Sequence, residues 1–290
     1  MKVQTISVTD SNYPQSLREI SDFPEKFYYI GDLDVLNQQR IAIVGTRKCT
    51  PYGEEQAFSL ARDLSKAGIC IVSGLAYGID AAAHRGALEG PGSTIAVLAN
   101  GLPEIRPAYN RGLAKKIVEK GGILISESPE GAIVQKSSYL VRNRLISALS
   151  RGVVVVEAAY RSGALNTANH AIEQNRDVMA VPGRVTDLAS AGANMLIQRG
   201  AQLVTCAADV AKFVDIKLMS SELPELTSFH KKILGLLMED TQSAGQLAER
   251  LKVSVSELFK ALTELEIMEL IKMRSNVYVI AKNYSRMHPP

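Results

Sequence analysis

The chain has no tryptophan and only three cysteines in 290 residues. Cys49, Cys70 and Cys206 are scattered and lack a Cys-x-x-Cys spacing, which excludes a disulfide framework and a thiolate zinc site and suits a reducing compartment. No apolar run reaches the ~18 residues of a membrane span, and Met1-Lys-Val-Gln-Thr5 has no signal-peptide core. A cytoplasmic protein without membrane contact is the simplest expectation. Surplus charge is lacking too: 33 basic against 30 acidic residues leave a net +3, so binding to a polyanion must rest on local clustering. The chain has no G-x-x-x-x-G-K-[ST], no G-x-G-x-x-G after Gly45, and no G-x-S-x-G around Ser73, Ser126 or Ser162. A P-loop, a dinucleotide fingerprint and a nucleophile elbow are therefore unsupported, and no cofactor is expected.

Hydrophobic residues make up 46% of the chain, enough for one large core and a small second domain. Apolar, β-branched runs at 41–44, 69–72, 94–98, 123–125, 153–156, 178–181 and 202–205 alternate with helix-period segments. Between the first two, Glu55 to Lys66 places Ala57, Leu60, Ala61 and Leu64 at i, i+3, i+4 and i+7 before Gly68, an amphipathic helix with its stop signal. Such alternation predicts an α/β fold: a Rossmann-like, mostly parallel sheet with helices on both faces and its ligand crevice at the strands' C-terminal ends. Gly45, Ser73-Gly74, Asn100-Gly101, Ser126-Glu127, Glu157 and Pro182-Gly183 stand at those ends and converge on one rim.

Residues 1–40, with Tyr13-Pro14, Phe23-Pro24 and Gly31, are expected to form an irregular lead-in to a domain spanning 41–216. Residues 217–228 are polar, contain Pro224 and predict a linker. Within 229–282, three short helices at about 229–238, 243–250 and 254–266 precede a hairpin turning at Ser275-Asn276. That order is the pattern of a small winged helix-turn-helix. Residues 283–290 make a tail.

Two stretches read as walls of one phosphate-lined cleft. Ile41-Ala-Ile-Val-Gly-Thr-Arg47 is a strand ending in a turn where backbone can approach an anion and Arg47 can offer a guanidinium fork. Lys136-Ser-Ser-Tyr-Leu-Val-Arg-Asn-Arg144 mixes cations, an amide and an aromatic, a composition suited to a sugar-phosphate backbone with a base stacked against it. Ser162-Gly163, just beyond, predicts a helix N-cap whose exposed N–H groups suit phosphate. Arg142 and Arg144 are expected at a helix start, where positive charge opposes the macrodipole. One of them is assigned an internal ion pair, with Glu127, Glu130 or Glu157 as the candidate partner. His84, within a small-residue helix, and His170 are read as packing residues, and Asp80 as a helix cap.

The order Val44-Gly-Thr-Arg47 with Tyr52-Gly53, Ser73-Gly-Leu-Ala-Tyr-Gly-Ile-Asp80, Arg142-Asn-Arg144, Ser162-Gly-Ala-Leu165 and Ala180-Val-Pro-Gly183 closely resembles the DNA-processing protein A (DprA/Smf) family over about residues 13–205. The resemblance implies a non-enzymatic, dimeric protein that binds and protects single-stranded DNA. It also implies that the protein helps load the RecA recombinase, in natural transformation and recombination. By motif, it places phosphate contacts at Gly45, Thr46 and Arg47, with further contacts at Gly74, Lys136, Tyr139, Arg142, Asn143, Arg144, Ser162 and Gly163. The chain departs from the family with Gly-Thr-Arg for Gly-Ser-Arg, and with Tyr139-Leu140 for Phe-Pro. Asn100 and Arg106 stand where the family has a small residue and an aromatic.

A nucleotide-processing enzyme of the phosphoribohydrolase type stays open as the alternative, with the Gly-Thr-Arg loop holding one 5′-phosphate. That class uses Pro-Gly-Gly-x-Gly-Thr, of which this chain has only Pro182-Gly183-Arg184. A homodimer surface is expected at the helix after Gln202–Cys206, through exposed Val210, Phe213 and Val214. The expected recognition helix, 255–266, carries three Glu and one Lys, a composition poor for reading a major groove.

Overall fold

A computed structural model describes residues 2–216, 226–268 and 270–281. The linker expected at 217–228 lies mostly outside the described residues, and the tail lies wholly outside them. The chain divides into two compact units, Met1–Met219 and Ser220–Pro290.

In the first unit, β1 (Gln4–Ser7), α1 (Gln15–Arg18) and β2 (Lys26–Gly31) lead into β3 (Arg40–Val44), α2 (Pro51–Lys66), β4 (Cys70–Ser73), α3 (Ile79–Ala87) and β5 (Thr94–Leu98). There follow α4 (Arg111–Glu119), β6 (Ile123–Ser126), α5 (Lys136–Ala148), β7 (Gly152–Val155) and α6 (Gly163–Glu173). The unit ends with β8 (Asp177–Ala180), α7 (Ala191–Gln198), β9 (Gln202–Leu203) and α8 (Ala207–Phe213). One nine-stranded sheet runs β1-β2-β6-β5-β4-β3-β7-β8-β9, parallel from β6 to β9. The fold is thus Rossmann-like, and the chain order reverses direction at the β3/β7 neighbour pair. A crevice opens at such a switch point because the two connecting helices leave toward opposite faces. Val44 and Val155 lie in register there, so the segments beginning at Gly45 and Val156 diverge from one spot.

Continuous burial of Ile41 to Val44, Val153 to Val155 and Ile95 to Leu98 reflects a sheet covered on both faces. One apolar layer joins β3, β7 and β5 to α5 and α6; the other joins α2, α3 and α8 to the same sheet.

The first forty residues are not irregular. Lys26-Phe-Tyr-Tyr-Ile-Gly31 pairs antiparallel with β6, Tyr28 opposite Ser126, and β1 extends the edge. Phe27 and Ile30 are buried, because an aromatic, β-branched run between Pro24 and Gly31 packs well on a pleated surface. Helix α2 starts four residues earlier than the apolar period indicated. Thr50 Oγ1 accepts from the Gly53 N–H at 3.1 Å, and Pro51 occupies the first helical position, where its missing N–H costs nothing. Helix α5 likewise starts at Lys136, closed by a Gln135/Ser138 capping box. Arg142 and Arg144 therefore lie mid-helix, and it is Lys136 that meets the helix N-terminus.

Helix α8 does not present the expected patch. Val210 and Val214 are buried against the sheet, and only Phe213 is exposed; the apolar period at 210 and 214 marks the core face of an amphipathic helix.

The second unit has α9 (Ser228–Glu239), α10 (Ala244–Leu251), α11 (Val255–Ile267) and the hairpin β10 (Ile271–Arg274)–β11 (Val277–Ile280), a winged helix. Its core is built from Ile233, Leu237, Leu247, Leu258, Leu262, Leu265 and Tyr278. Ser275 and Asn276 both take positive φ, 47° and 66°, as a two-residue hairpin turn of matching twist requires.

Candidate nucleic-acid interface

At the C-terminal ends of β3 and β7 lies a cavity of about 460 Å³. Its lining includes Gly45, Thr46 and Arg47 after β3, Lys136, Tyr139, Arg142 and Asn143 from α5, and Ser162 and Gly163 at the start of α6. Of the sequence-derived candidates, Gly74 and Arg144 do not line it.

The Gly-Thr-Arg loop is fixed from beneath. The Thr46 N–H donates to the Glu157 carbonyl at 2.7 Å, and the Ile79 N–H donates to the Thr46 carbonyl at 3.3 Å. Glu157 is buried, and its carboxylate accepts from the Thr50 N–H at 2.9 Å and the Thr50 hydroxyl at 2.5 Å. Gly45 is required by packing: a Cβ there would stand 2.5 Å from Ile79 Cγ1 and 2.8 Å from the Glu157 carbonyl oxygen. The Thr46 hydroxyl accepts from the Lys48 N–H at 3.3 Å. The backbone N–H of Thr46 is therefore already engaged, so Thr46 offers a ligand its hydroxyl rather than its amide.

Arg47 is exposed, with its guanidinium carbon 4.8 Å from the centre of the Tyr139 ring. Cation–π stacking holds the planar fork over the aromatic face. Lys136 is also exposed. Among the described residues, neither cation forms an ion pair; carboxylates elsewhere hold Arg62, Arg85, Arg106, Lys115, Arg144, Arg176 and Arg250. Two unpaired cations and an aromatic, facing a helix N-terminus, are equipped to hold an anionic backbone.

Arg142 forms part of the floor. It is 6% exposed and donates to the carbonyl oxygens of Gly74, at 2.9 Å, and Val97. Gly74 lies directly beneath it, since a Cβ there would stand 2.5 Å from an Arg142 terminal nitrogen. Burial lowers the Arg142 pKa to about 10, with neighbouring Asp80 opposing the shift. Asp80 is buried, and burial raises its pKa, which the nearby Arg142 counteracts. Its carboxylate accepts from the Gly74 N–H at 3.1 Å and the Ala76 N–H at 3.4 Å. It thus shapes the loop after β4 instead of capping its own helix, whose N-cap is Gly78. Asn143 donates to the Gly163 carbonyl and to Asn166 Oδ1, both at 3.2 Å, tying α5 to the first turn of α6. Ser162 caps α6, its hydroxyl accepting from the Ala164 N–H at 3.3 Å, and a Cβ on Gly163 would meet nothing within 4 Å.

Arg144 is placed away from the cleft. It bonds Asp22 at 2.7 Å and Glu127 at 2.8 Å, so it is the arginine with the internal ion pair and it braces the lead-in against α5. It points away from Arg142, because residues two apart on a helix lie on different faces. His84 is fully buried, with Nδ1 2.8 Å from the Thr94 hydroxyl. That hydroxyl donates to the Ile71 carbonyl, so His84 carries its proton on Nδ1, and burial lowers its pKa to about 3. Motif reading also passed over Lys48 and Arg161, exposed cations beside Arg47 and Ser162 in sequence.

A family model described as DNA recombination-mediator protein A matches residues 4–215, and one described as the DprA winged helix domain matches residues 219–274. The chain is 37% identical over 279 residues to Protein Smf of Escherichia coli, covering 92% of this chain and 74% of that protein. Other curated relatives are spanned over as little as 46% of their length. The crystal structure of DNA processing protein A from Streptococcus pneumoniae superposes with a TM-score of 0.69 at 42% identity, over 73% of this chain and 74% of that one. A Helicobacter pylori DNA processing protein A structure, described as showing a unique single-stranded DNA binding mode, gives a TM-score of 0.66 at 32% identity, over 74% and 94%. The chain belongs to the DNA recombination-mediator protein A (DprA/Smf) family.

Proposed function

We propose that the chain is a non-enzymatic single-stranded-DNA-binding protein that protects exposed or incoming strands in the cytoplasm and helps load RecA onto them. The observation that carries this reading is the switch-point cleft, lined by unpaired Lys136 and by unpaired Arg47 stacked on the Tyr139 ring. Phosphates would lie against Arg47, the Thr46 hydroxyl, Lys136 and the α6 N-terminus. With Arg47 over one face of Tyr139, a base stacks on the guanidinium plane or on the open part of the ring. Arg142 would add charge from the floor, while Gly45, Gly74, Asn143 and Asp80 would set the shape.

Asp80, the one acid among the lining residues, is bound by two backbone N–H groups and stands beside Arg142. It is held as a structural carboxylate, which favours binding over phosphoribohydrolase chemistry. RecA loading and the homodimer rest on family membership; the face of α8 lends the dimer no support.

A filter-binding titration across salt, using single- and double-stranded DNA of matched length, tests the reading. A panel of nucleoside monophosphates assayed for turnover accompanies it. Preferential single-strand binding without turnover is expected; release of base from any monophosphate would select the enzyme instead. For loading, the expected outcome is faster RecA filament formation on protein-coated single strands when the chain is added.

A further inference from the structure

We propose that Tyr77 and Tyr109 form a second subsite, a stacking platform for one nucleobase of the same single strand; this rests on the single-strand reading of the cleft. The two rings come from different loops, Tyr77 after β4 and Tyr109 from the turn Ala108–Asn110 after β5. Their centroids are 6.0 Å apart with the planes tilted by 43°. Tyr77 is 46% and Tyr109 81% exposed.

Both loops are anchored to the cleft. Asn110 is buried and donates to the carbonyls of Leu75 at 2.9 Å and Ala76 at 3.2 Å, fixing the Tyr109 turn on the Tyr77 loop. Gly78, at φ 73°, packs so closely on the Thr46 and Arg47 carbonyls that a Cβ would collide with both. Ala76 itself lines the cleft. Tyr77 therefore lies between Ala76, which lines the cleft, and Gly78, which packs on the loop that carries Arg47, so the pair borders the cleft.

An aromatic that is four-fifths exposed, on a turn held by a buried amide, presents a preset π-face to solvent. Stacking needs no base-edge hydrogen bond and so fits a strand of any sequence. A protein partner fits less well, because two rings are a small fraction of the ~800 Å² per side of a stable interface. The polar Glu104–Arg106 pair also lies on the same connection.

The test uses the full chain and labelled oligo-dT of about 4 to 16 nucleotides, the range of single-strand site sizes. Wild type, Tyr77→Ala/Tyr109→Ala, Tyr77→Phe/Tyr109→Phe and Arg47→Ala are compared. The double alanine variant should match wild type on the shortest oligomer bound and fall about 5- to 150-fold behind on longer ones. The double phenylalanine variant should bind as wild type does. Because the chain has no tryptophan, quenching of tyrosine emission by the longer oligomers should also shrink in the alanine variant. Equal affinity of wild type and the alanine variant at every length overturns the subsite, as does a loss that is the same at every length, or a change confined to sedimentation. Arg47→Ala should weaken binding at all lengths. If wild type binds none of the oligomers, the cleft reading itself falls, and the subsite with it.

Discussion

Arg47→Ala removes the guanidinium that lies 4.8 Å from the Tyr139 ring centre without touching the core, since Arg47 is exposed. Loss of an exposed cation–π contact costs about 0.5–1 kcal/mol of stability, too little to unfold the domain. Its binding effect should be larger. A charge-assisted hydrogen bond contributes about 1.5–3 kcal/mol, or roughly 10- to 150-fold in affinity. Each phosphate contact on a single strand also sets about 0.7 of the log–log salt slope. Raising salt fourfold should then narrow the gap between wild type and variant by about 2.6-fold, which is 4 raised to the power 0.7. Arg47→Lys separates the two contributions: it keeps the charge and the slope but loses the planar fork and its stacking. Anisotropy titrations with oligo-dT at about 50, 100 and 200 mM salt, spanning the usual working range, provide the measurement. A folded Arg47→Ala protein with wild-type affinity and slope would refute the assignment of this loop to phosphate.

Arg144→Ala should lower stability by about 2 kcal/mol while leaving single-strand affinity per folded molecule unchanged, because it removes a buried side chain and its charge-assisted hydrogen bonds to Asp22 and Glu127, away from the cleft; denaturant melts paired with titrations read both effects. His84 gives a pH signature: its folded pKa, near 3, lies below the unfolded value of about 6.5. The unfolded chain therefore binds the extra proton in that window, and stability falls by up to about 1.4 kcal/mol per pH unit as pH drops from about 6 toward 3. Denaturant curves should show this contribution vanish in His84→Asn, and an unchanged slope would sink it. Deleting residues 220–290 should leave a folded first unit that binds oligo-dT within about tenfold of the full chain, or about 1.4 kcal/mol; a larger loss would show that the winged helix grips DNA.

Six of the strands, β3 to β8, and the rim they define, were legible because parallel strands within a covered sheet announce themselves as continuous apolar runs; the run at 202–205 also marked β9, although its two residues are exposed at the sheet edge. The edge strands β1 and β2 were hidden by Pro14 and Pro24, which read as irregular although Phe27 to Ile30 carry a strand's composition. Helix starts were missed wherever capping chemistry, not apolar period, set them: Thr50-Pro51 for α2 and Gln135 with Ser138 for α5. Motif spacing brought Arg47, Lys136, Tyr139 and Ser162 together, because each stands at a strand end or helix start beside the switch point. Spacing cannot tell a cation that faces the cleft from one that is spent on the frame. Arg142 and Arg144 are two residues apart, yet one lines the floor and the other pairs with Asp22 and Glu127. Their partners come from segments far away in sequence, so only the folded chain distinguishes them.

The same division of labour explains how a nearly neutral protein can present a cationic cleft. Arg40 donates to the Leu149 carbonyl at 2.5 Å, and Arg176 pairs with Glu19 at 2.6 Å; with Arg144, these arginines brace the fold and contribute little to the outer field. Arg47 and Lys136 remain as unpaired charges, placed where the sheet's topology opens a crevice. Asn143, the one lining amide, would be suited to reading a base edge. However, its Nδ2 donates to Gly163 and Asn166, and its Oδ1 accepts from Arg142 Nε at 3.3 Å. With that amide committed, the cleft is left with charge, a hydroxyl, a helix N-terminus and aromatic faces. Groups of these kinds suit the backbone and the flat faces of bases, which every sequence shares. Binding without regard to sequence is therefore what the proposed reading expects, because the polar groups of the frame are already satisfied.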